Sequence, residues 1–393
     1  MTYLGYQKEE LDKLGAGITA LEINNQPRIW KETYEIIKDR KNEIQTFLNK
    51  AFKHEDLRII LTGAGSSAFV GDCTVPYLDK KICNKIEMIE STDIVSHPEC
   101  YFKKDIPTLL ISCARSGNSP ESVATANLAR DLIDNLYHIV LTCNPDGELA
   151  KTCQEREKEF VILMPNDSND KGFAMTSSFT SMVLSTLLIF NLEKLDDLQE
   201  QIDRIILNGE NVLQSNIELL KEVSKLDLKR VVYLGANALK GLARESALKI
   251  LELTSGKVAT SFDSCLGFRH GPKSIVDDKT LVIIYLSNDS YARKYEIDFL
   301  KEIYTQNGGH KVLAVTSYED KLVKESCDYY ICIEKEKVDY EDDSFLVFDY
   351  ILNAQIFAIF KSIKLGVNPD NPSPDGSVNR VVKGVTIHEF NGN

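Results

Sequence analysis

The chain reads as α/β, with two tandem doubly wound parallel sheets, a helical extension before them and an ordered tail after them. Three observations predict this. Continuous apolar, β-branched runs alternate with helical patterns, as strands buried on both faces do. The two halves match each other at a spacing of about 170 residues. Gly/Ser turns follow strands directly and open helices, at the sheet edge where ligands of such folds bind.

Residues 1–50 read as helical, with ALEINNQPRIWKETYEIIKD broken at Pro27 and carrying the single tryptophan, Trp30. The first sheet domain is expected over 51–205 and the second over 206–365. LRIILTGAGSSAF (57–69) has its counterpart in KRVVYLGANALKG (229–241), each an apolar run breaking at Gly-Ala. TLLISCARSGNS (108–119) matches TLVIIYLSNDS (280–290), and HIVLTCNPDGELAKTC (138–153) matches HKVLAVTSYEDKLVKES (310–326). EFVILM (159–164) matches YYICIE (329–334), and each half ends in a long apolar helix, over 177–195 and 344–364. Residues 196–225 form a charged helical connector. The tail, 366–393, is rich in Pro, Asn and Asp, which argues for a rigid path that turns into a short strand-like end.

Bulk composition narrows the functions. Lys plus Arg number 46 against 59 Asp plus Glu, a net charge of −13, and no basic stripe is present. A nucleic-acid or anionic-membrane partner is therefore not expected. The start, MTYLGYQKEELDK, lacks the pattern of a signal peptide, and the longest apolar run, Met182 to Phe190, is far short of the ~20 residues needed to span a bilayer. Nine cysteines without a C-x-x-C pair fit buried thiols in a reducing cytoplasm. The six histidines lack metal-ligand spacing, so neither metal nor cofactor is expected.

Three polar loops in the first half form a candidate phosphate cradle. They are Thr62 to Ser67 with Gly65, Ser66 and Ser67, then Arg115-Ser116-Gly117-Asn118-Ser119, then Thr176-Ser177. Glycines let the backbone approach a ligand, and N–H groups at a helix start favour an anion. Hydroxyls and Arg115 would add donors and charge. Any one loop alone is equally an ordinary strand-to-helix turn with Ser as N-cap. The second half's counterpart, Leu286-Ser287-Asn288-Asp289-Ser290, has no glycine and carries an acid, so one phosphate per chain is expected.

The second half carries proton-transfer candidates. Glu245, Lys249 and Glu252 fall at i, i+4 and i+7, within a narrow arc of one helix face. Glu252 is placed to move a carbon-bound proton, Lys249 to stabilise an enolate oxygen, and Glu245 to hold Lys249. The bland alternative is a solvated helix with an ordinary i,i+4 ion pair. His270, followed by Gly271-Pro272, suits opening of a sugar ring, or is a hydrogen-bonded structural histidine. Lys383 is either a surface lysine or one that reaches the carbonyl of an opened sugar.

Together these loops and the Glu/Lys/Glu/His order resemble the tandem sugar isomerase (SIS) domain family, which implies a flavodoxin-like sheet. The phrases SFDSCLGFRHGPKSIVDD (261–278), NPDNPSPDGSVNRVVKGVTIHEF (368–390) and EINNQPRIW (22–30) are similar to galactosamine-6-phosphate deaminase/isomerases, also described as tagatose-6-phosphate ketose/aldose isomerases. The isomerase half of glucosamine-6-phosphate synthase is a more distant likeness. The resemblance implies phosphate binding by Ser67, Ser116 and Ser119. It also implies proton transfer by Glu252, ring opening by His270, and supporting roles for Lys249, Glu245 and Lys383. It further implies sites shared between subunits, hence a homodimer or dimer of dimers.

The function expected on this basis is conversion of galactosamine 6-phosphate and water to tagatose 6-phosphate and ammonia. The alternatives are a plain aldose–ketose isomerase acting on a sugar phosphate without nitrogen, and a non-catalytic sugar-phosphate sensor.

Overall fold

The computed structural model describes residues 1–154, 156–382 and 384–391. Two short strands, β1 (Thr2–Tyr3) and β2 (Tyr6–Gln7), open the chain as an antiparallel pair. The first sheet comprises β3 (Arg58–Thr62), β4 (Ile86–Met88), β5 (Thr108–Ala114), β6 (Leu136–Thr142) and β7 (Glu159–Leu163), in the order β4-β3-β5-β6-β7. The second comprises β8 (Arg230–Leu234), β9 (Ala259–Asp263), β10 (Thr280–Tyr285), β11 (Lys311–Tyr318) and β12 (Tyr329–Glu334), in the order β9-β8-β10-β11-β12. Every pairing within the two sheets is parallel. Each sheet is doubly wound, as expected from the sequence, with the order 2-1-3-4-5, and its strand order reverses between the first and third strands.

Burial explains the strand pattern. Every position of β5, β6 and β10 is buried, so these strands need apolar residues on both faces. The edge strands β4 and β9 are only partly buried, and their sequences, IEM and ATSFD, carry no continuous apolar signal. That is why the sequence shows eight of the ten strands clearly and leaves these two unmarked.

The chain divides into two compact units. One gathers Met1–Lys31, Lys171–Thr176 and Asp197–Pro372; the other gathers Glu32–Asp170, Ser177–Asp196 and Ser373–Asn393. The unit with the second sheet thus takes up Met1–Lys31 of the amino-terminal extension, and the unit with the first sheet takes up the rest of it and the end of the tail. In the second-sheet unit, the helix Val347–Lys364 is buried from Val347 to Ser362. The stretch Asp343–Lys364 is long and apolar enough to cross a membrane, yet 94% of its apolar window is buried, which marks it as a core helix.

Two expectations are corrected. The helix Gly17–Asp39 runs through Pro27 instead of breaking there. Proline removes the N–H that would reach the Ile23 carbonyl. Gln26 Nε2 donates to that carbonyl at 3.4 Å and to Gln355 Oε1 at 2.6 Å, so buried side-chain amides take over part of the lost bonding. The tail forms no strand among the described residues; most of 374–391 is exposed. Its path is set instead by polar anchors, such as Asp370, which accepts from the Ile18 and Thr19 amides at 3.0 and 2.8 Å.

Candidate active site

Thr62 of β3 lies opposite Ser112 of β5, so the loops leaving these strands sit side by side at the carboxyl edge where strand order reverses. The first loop enters the helix Ser66–Lys81 through Gly65, whose φ of 56° and ψ of −132° suit glycine. Gly65 is exposed, and Ser66 and Ser67 are buried just behind it. The second loop enters the helix Pro120–Leu132 through Ser119, which makes no side-chain cap bond. Neither helix start follows the Ser-N-cap alternative, because one cap is glycine and the other leaves its hydroxyl unused for capping.

The rest of the Ser-Gly loop is tied into the sheet. Ser116 Oγ accepts from the Asn118 amide at 3.2 Å, and Asn144 Nδ2 donates to the Ser116 carbonyl at 2.9 Å. The Asn118 side-chain oxygen accepts from the Glu148 amide at 2.9 Å, so Asn118 also braces the next helix. Gly117 is buried, with φ of 65°. Arg115 is buried and donates to the carbonyl of Arg380 in the tail at 2.7 Å.

The third loop differs from expectation. Thr176 and Ser177 are wholly buried. Asp170 accepts from the Ser177 and Ser178 amides at 3.0 and 2.9 Å. An internal carboxylate therefore fills this helix start, and it is not open to a ligand phosphate. The candidate cradle in this unit is thereby narrowed to the loops after β3 and β5.

The helix Ala238–Leu253 leaves β8 and carries the proton-transfer candidates. Lys249 Nζ lies 3.2 Å from Glu245 Oε1 and 2.8 Å from Glu252 Oε2. Glu245 and Lys249 are fully buried, whereas the Glu252 side chain is 24% exposed. The solvated-helix alternative fails, because only the outermost member of this chain of charges meets solvent. Burial opposes charge on Lys249, but the two carboxylates together outweigh it and hold its pKa above the ordinary lysine value. Lys249 is thus a fixed cation, unsuited to accepting a proton, and it fixes one oxygen of Glu252.

His270 follows the short helix Cys265–Phe268. Ser264 caps that helix by accepting from the Gly267 amide at 3.0 Å, and the His270 amide donates to the Gly267 carbonyl at 2.9 Å. Gly271 next adopts φ of 122°. Flanking cations pin the loop to the helix Ser290–Thr305: Arg269 Nε donates to Glu302 Oε2 at 2.8 Å, Lys273 pairs with the same carboxylate, and Arg269 lies 5.2 Å from the Phe299 ring centre. The imidazole is exposed and makes no hydrogen bond among the described residues, unlike a structural histidine. Lys383 lies outside the described residues.

Among the described residues one group has metal-like geometry. His138, Cys153 and Glu159 bring candidate ligand atoms within 4.8 Å of one another. Arg130 already holds both oxygens of Glu159 at 2.8 Å, and burial pushes the Cys153 thiol up, so the group is a satisfied ion-pair network and not a vacant metal centre. Two clefts, of about 610 and 440 Å³, are lined by residues around Asn24 and Glu218 and around Phe52 and Lys81, away from every candidate residue. Sequence reasoning missed Arg380, whose partners lie 210 and 265 residues away, and Asp170, whose carboxylate reaches amides 7 and 8 residues on; neither follows a local motif.

The sequence and fold have known relatives. The SIS domain family matches residues 52–192. The chain is 42% identical over 385 residues to the D-galactosamine-6-phosphate deaminase AgaS of Shewanella sp. (strain ANA-3), covering 97% of this chain and 94% of that one. A Clostridium novyi structure described as a candidate tagatose-6-phosphate ketose/aldose isomerase is 56% identical, with a TM-score of 0.98 over 99% of this chain and 100% of that one. The tagatose-6-phosphate ketose/aldose isomerase structure from Escherichia coli is 37% identical, with a TM-score of 0.86 over 95% and 97% of the two chains. On this similarity along nearly its whole length, the chain belongs to the galactosamine-6-phosphate deaminase branch of the SIS-domain family.

Proposed function

We infer that this protein is a galactosamine-6-phosphate deaminase, an enzyme that converts galactosamine 6-phosphate and water to tagatose 6-phosphate and ammonia. The observation that carries the chemistry is the buried Glu245–Lys249–Glu252 chain, which presents a single carboxylate to solvent. The substrate follows from relatives that align along at least 95% of this chain at 40–42% identity and are named D-galactosamine-6-phosphate deaminase.

In this reading the loops after β3 and β5 hold the phosphate through Gly65, Ser66, Ser67, Ser116, Gly117 and Ser119. His270 moves a proton between the ring oxygen and the C1 hydroxyl, giving the open aldehyde. Glu252 removes the proton from C2, the electron pair moves to the C1 carbonyl, and an enolamine forms. Lys249 orients Glu252, and Glu245 holds Lys249. Return of the proton to C1 gives a ketimine at C2. Water adds to that imine carbon and ammonia leaves, completing the ketose. The proton moves between two carbons and the nitrogen leaves by hydrolysis, so no redox partner is required. Lys383 would reach the opened sugar from the tail. The site works in a homo-oligomer in the cytoplasm, with the exposed His270 loop completing a neighbouring subunit's site.

The test is ammonia release by the purified chain. Galactosamine 6-phosphate should yield ammonia and tagatose 6-phosphate in equal amounts, and turnover should fall steeply in Glu252→Gln. The solved relatives described as ketose/aldose isomerases favour one competing reading, an isomerase acting on tagatose 6-phosphate. Turnover of that sugar without ammonia release from any hexosamine 6-phosphate would establish the competitor instead.

A further inference from the structure

We propose that Arg380 is a positioning residue that straps the carboxyl-terminal tail to the phosphate cradle and sets the Ser-Gly loop through Arg115. The proposal rests on the reading that this loop holds the substrate phosphate. Residues 374–379 are exposed, with Val378 58% exposed, and Val382 beyond is 47% exposed. Arg380 is the point where this stretch of tail turns inward. Its Nε donates to the Asp170 carbonyl at 2.9 Å, a terminal guanidinium nitrogen bonds the same carbonyl, and that nitrogen reaches Asn169 Oδ1 at 3.3 Å. The Arg380 carbonyl in turn accepts from buried Arg115 at 2.7 Å.

One tail residue thus bonds both the start of the Ser-Gly loop and the Asn169-Asp170 segment. Asp170 closes the start of the helix Ser177–Ile189 with its carboxylate while its carbonyl receives Arg380. Arg115 begins the Ser-Gly loop immediately after β5. A guanidinium suits this hub because its planar fork can serve two acceptors at once, whereas lysine offers a point charge. Without the fork, an exposed tail has little to offset the entropy of being ordered. Arg115 then loses this acceptor, and the loop that it begins loses one of its ties. Tail attachment and phosphate affinity are consequently linked, each favouring the other.

The experiment uses the purified full chain and inorganic phosphate as probe, with titration calorimetry for binding and steady-state kinetics on galactosamine 6-phosphate. Arg380→Ala should raise the phosphate dissociation constant and KM together, by roughly tenfold, the scale of one lost charged hydrogen bond. The melting temperature should stay close to that of the parent. Arg115→Ala should behave alike, and the double variant should be no worse than the poorer single one, because both act through one contact. Arg380→Lys should recover only part of the affinity. Limited proteolysis should cut the tail of Arg380→Ala faster, and phosphate should protect the parent's tail alone. Parent-like phosphate affinity in Arg380→Ala overturns this inference and leaves the proposed function standing. A parent chain that binds neither phosphate nor sugar phosphate overturns both. Should Arg380→Ala fail to fold, Arg380→Lys and Arg115→Ala carry the same comparison.

Discussion

The two sheets share one strand order but fill their switch-point loops differently. The first turn of each is alike: a Cβ on Gly63 would lie 2.6 Å from the Ser67 backbone, and one on Gly235 would lie 2.4 Å from that of Leu239. The second loops diverge. After β5, the loop offers glycine, serine hydroxyls and an N-cap serine that makes no cap bond. After β10, Glu296 accepts from the Ser287 amide at 2.8 Å and Asp343 accepts from the Asn288 amide at 2.9 Å. Asp343 also takes the Ser287 hydroxyl. The chain's own carboxylates sit on amides where the first sheet leaves room for an anion. The fold supplies an anion-attracting edge in both sheets, and side chains decide whether a ligand or the protein itself occupies it.

If the first sheet grips and the second does chemistry, substitutions should separate into two kinetic classes. The largest effect belongs to Glu252→Gln. A general base contributes about 10²–10⁴ in rate, so kcat for ammonia release should fall by about that factor while inorganic phosphate binds as before. A parallel loss of phosphate affinity would show that the division of labour is wrong. Lys249→Met tests the same helix through stability. It strands the fully buried Glu245 without its cation, which should cost about 3–5 kcal/mol in urea unfolding.

The acids of the second sheet make their own pH prediction. Burial pushes the Glu296 carboxyl up to about 8 from an ordinary 4.5; nearby Asp343 and Asp289 add to the rise, and the Ser287 amide and Arg293 oppose it. Its folded pKa exceeds its unfolded one, so folding is favoured below about 4.5, and the advantage is lost as pH rises through about 8. Glu296→Gln should therefore gain on the parent chain between pH 5 and 8, by a few kcal/mol, in chemical denaturation at each pH. An identical pH profile in the two chains would mean that the second loop is not filled by a protonated acid. The matching test in the first sheet is smaller. Ser119→Ala removes a hydroxyl that caps nothing, so melting should be unchanged while KM rises several-fold, the worth of about 1 kcal/mol.

How much of this was legible in the sequence depended on distance along the chain. Buried strands announce themselves because every position of β5 or β10 is buried and most are apolar, and the Glu245/Lys249/Glu252 face follows from helical periodicity alone. The edge strands β4 and β9, a three-residue IEM and a polar ATSFD, hold no apolar run to read, whereas the edge strand β12, buried at one position, is legible as YYICIE. The acid visible in the second Ser loop, Asp289, turned out to cap its own helix through the Tyr291 and Ala292 amides. The acids that fill the loop are Glu296, 9 residues from Ser287, and Asp343, 55 residues from Asn288. The same reason hides Asp170 beneath Ser177 and Arg380 beside Arg115. A carboxylate satisfying an amide through tertiary contact leaves no spacing to read, and proline in the helix Gly17–Asp39 is tolerated through a similarly remote partner, Gln355.

The finest difference between the sheets lies at the caps of their first helices. Gly65 and Asn237 hold nearly the same backbone conformation, φ/ψ of 56°/−132° and 54°/−123°. Glycine adopts it without steric cost, whereas a side chain there is strained by about 1–3 kcal/mol. Asn237 is exposed, and its side chain makes no cap bond to offset that strain. Asn237→Gly should therefore stabilise the chain, by about 1 kcal/mol once the added freedom of the unfolded glycine is subtracted, with kcat and KM unchanged. Calorimetric melting measures the first and an ammonia assay the second. A loss of activity would place Asn237 at the reacting sugar, and the two first turns would then differ in function as well as in residue.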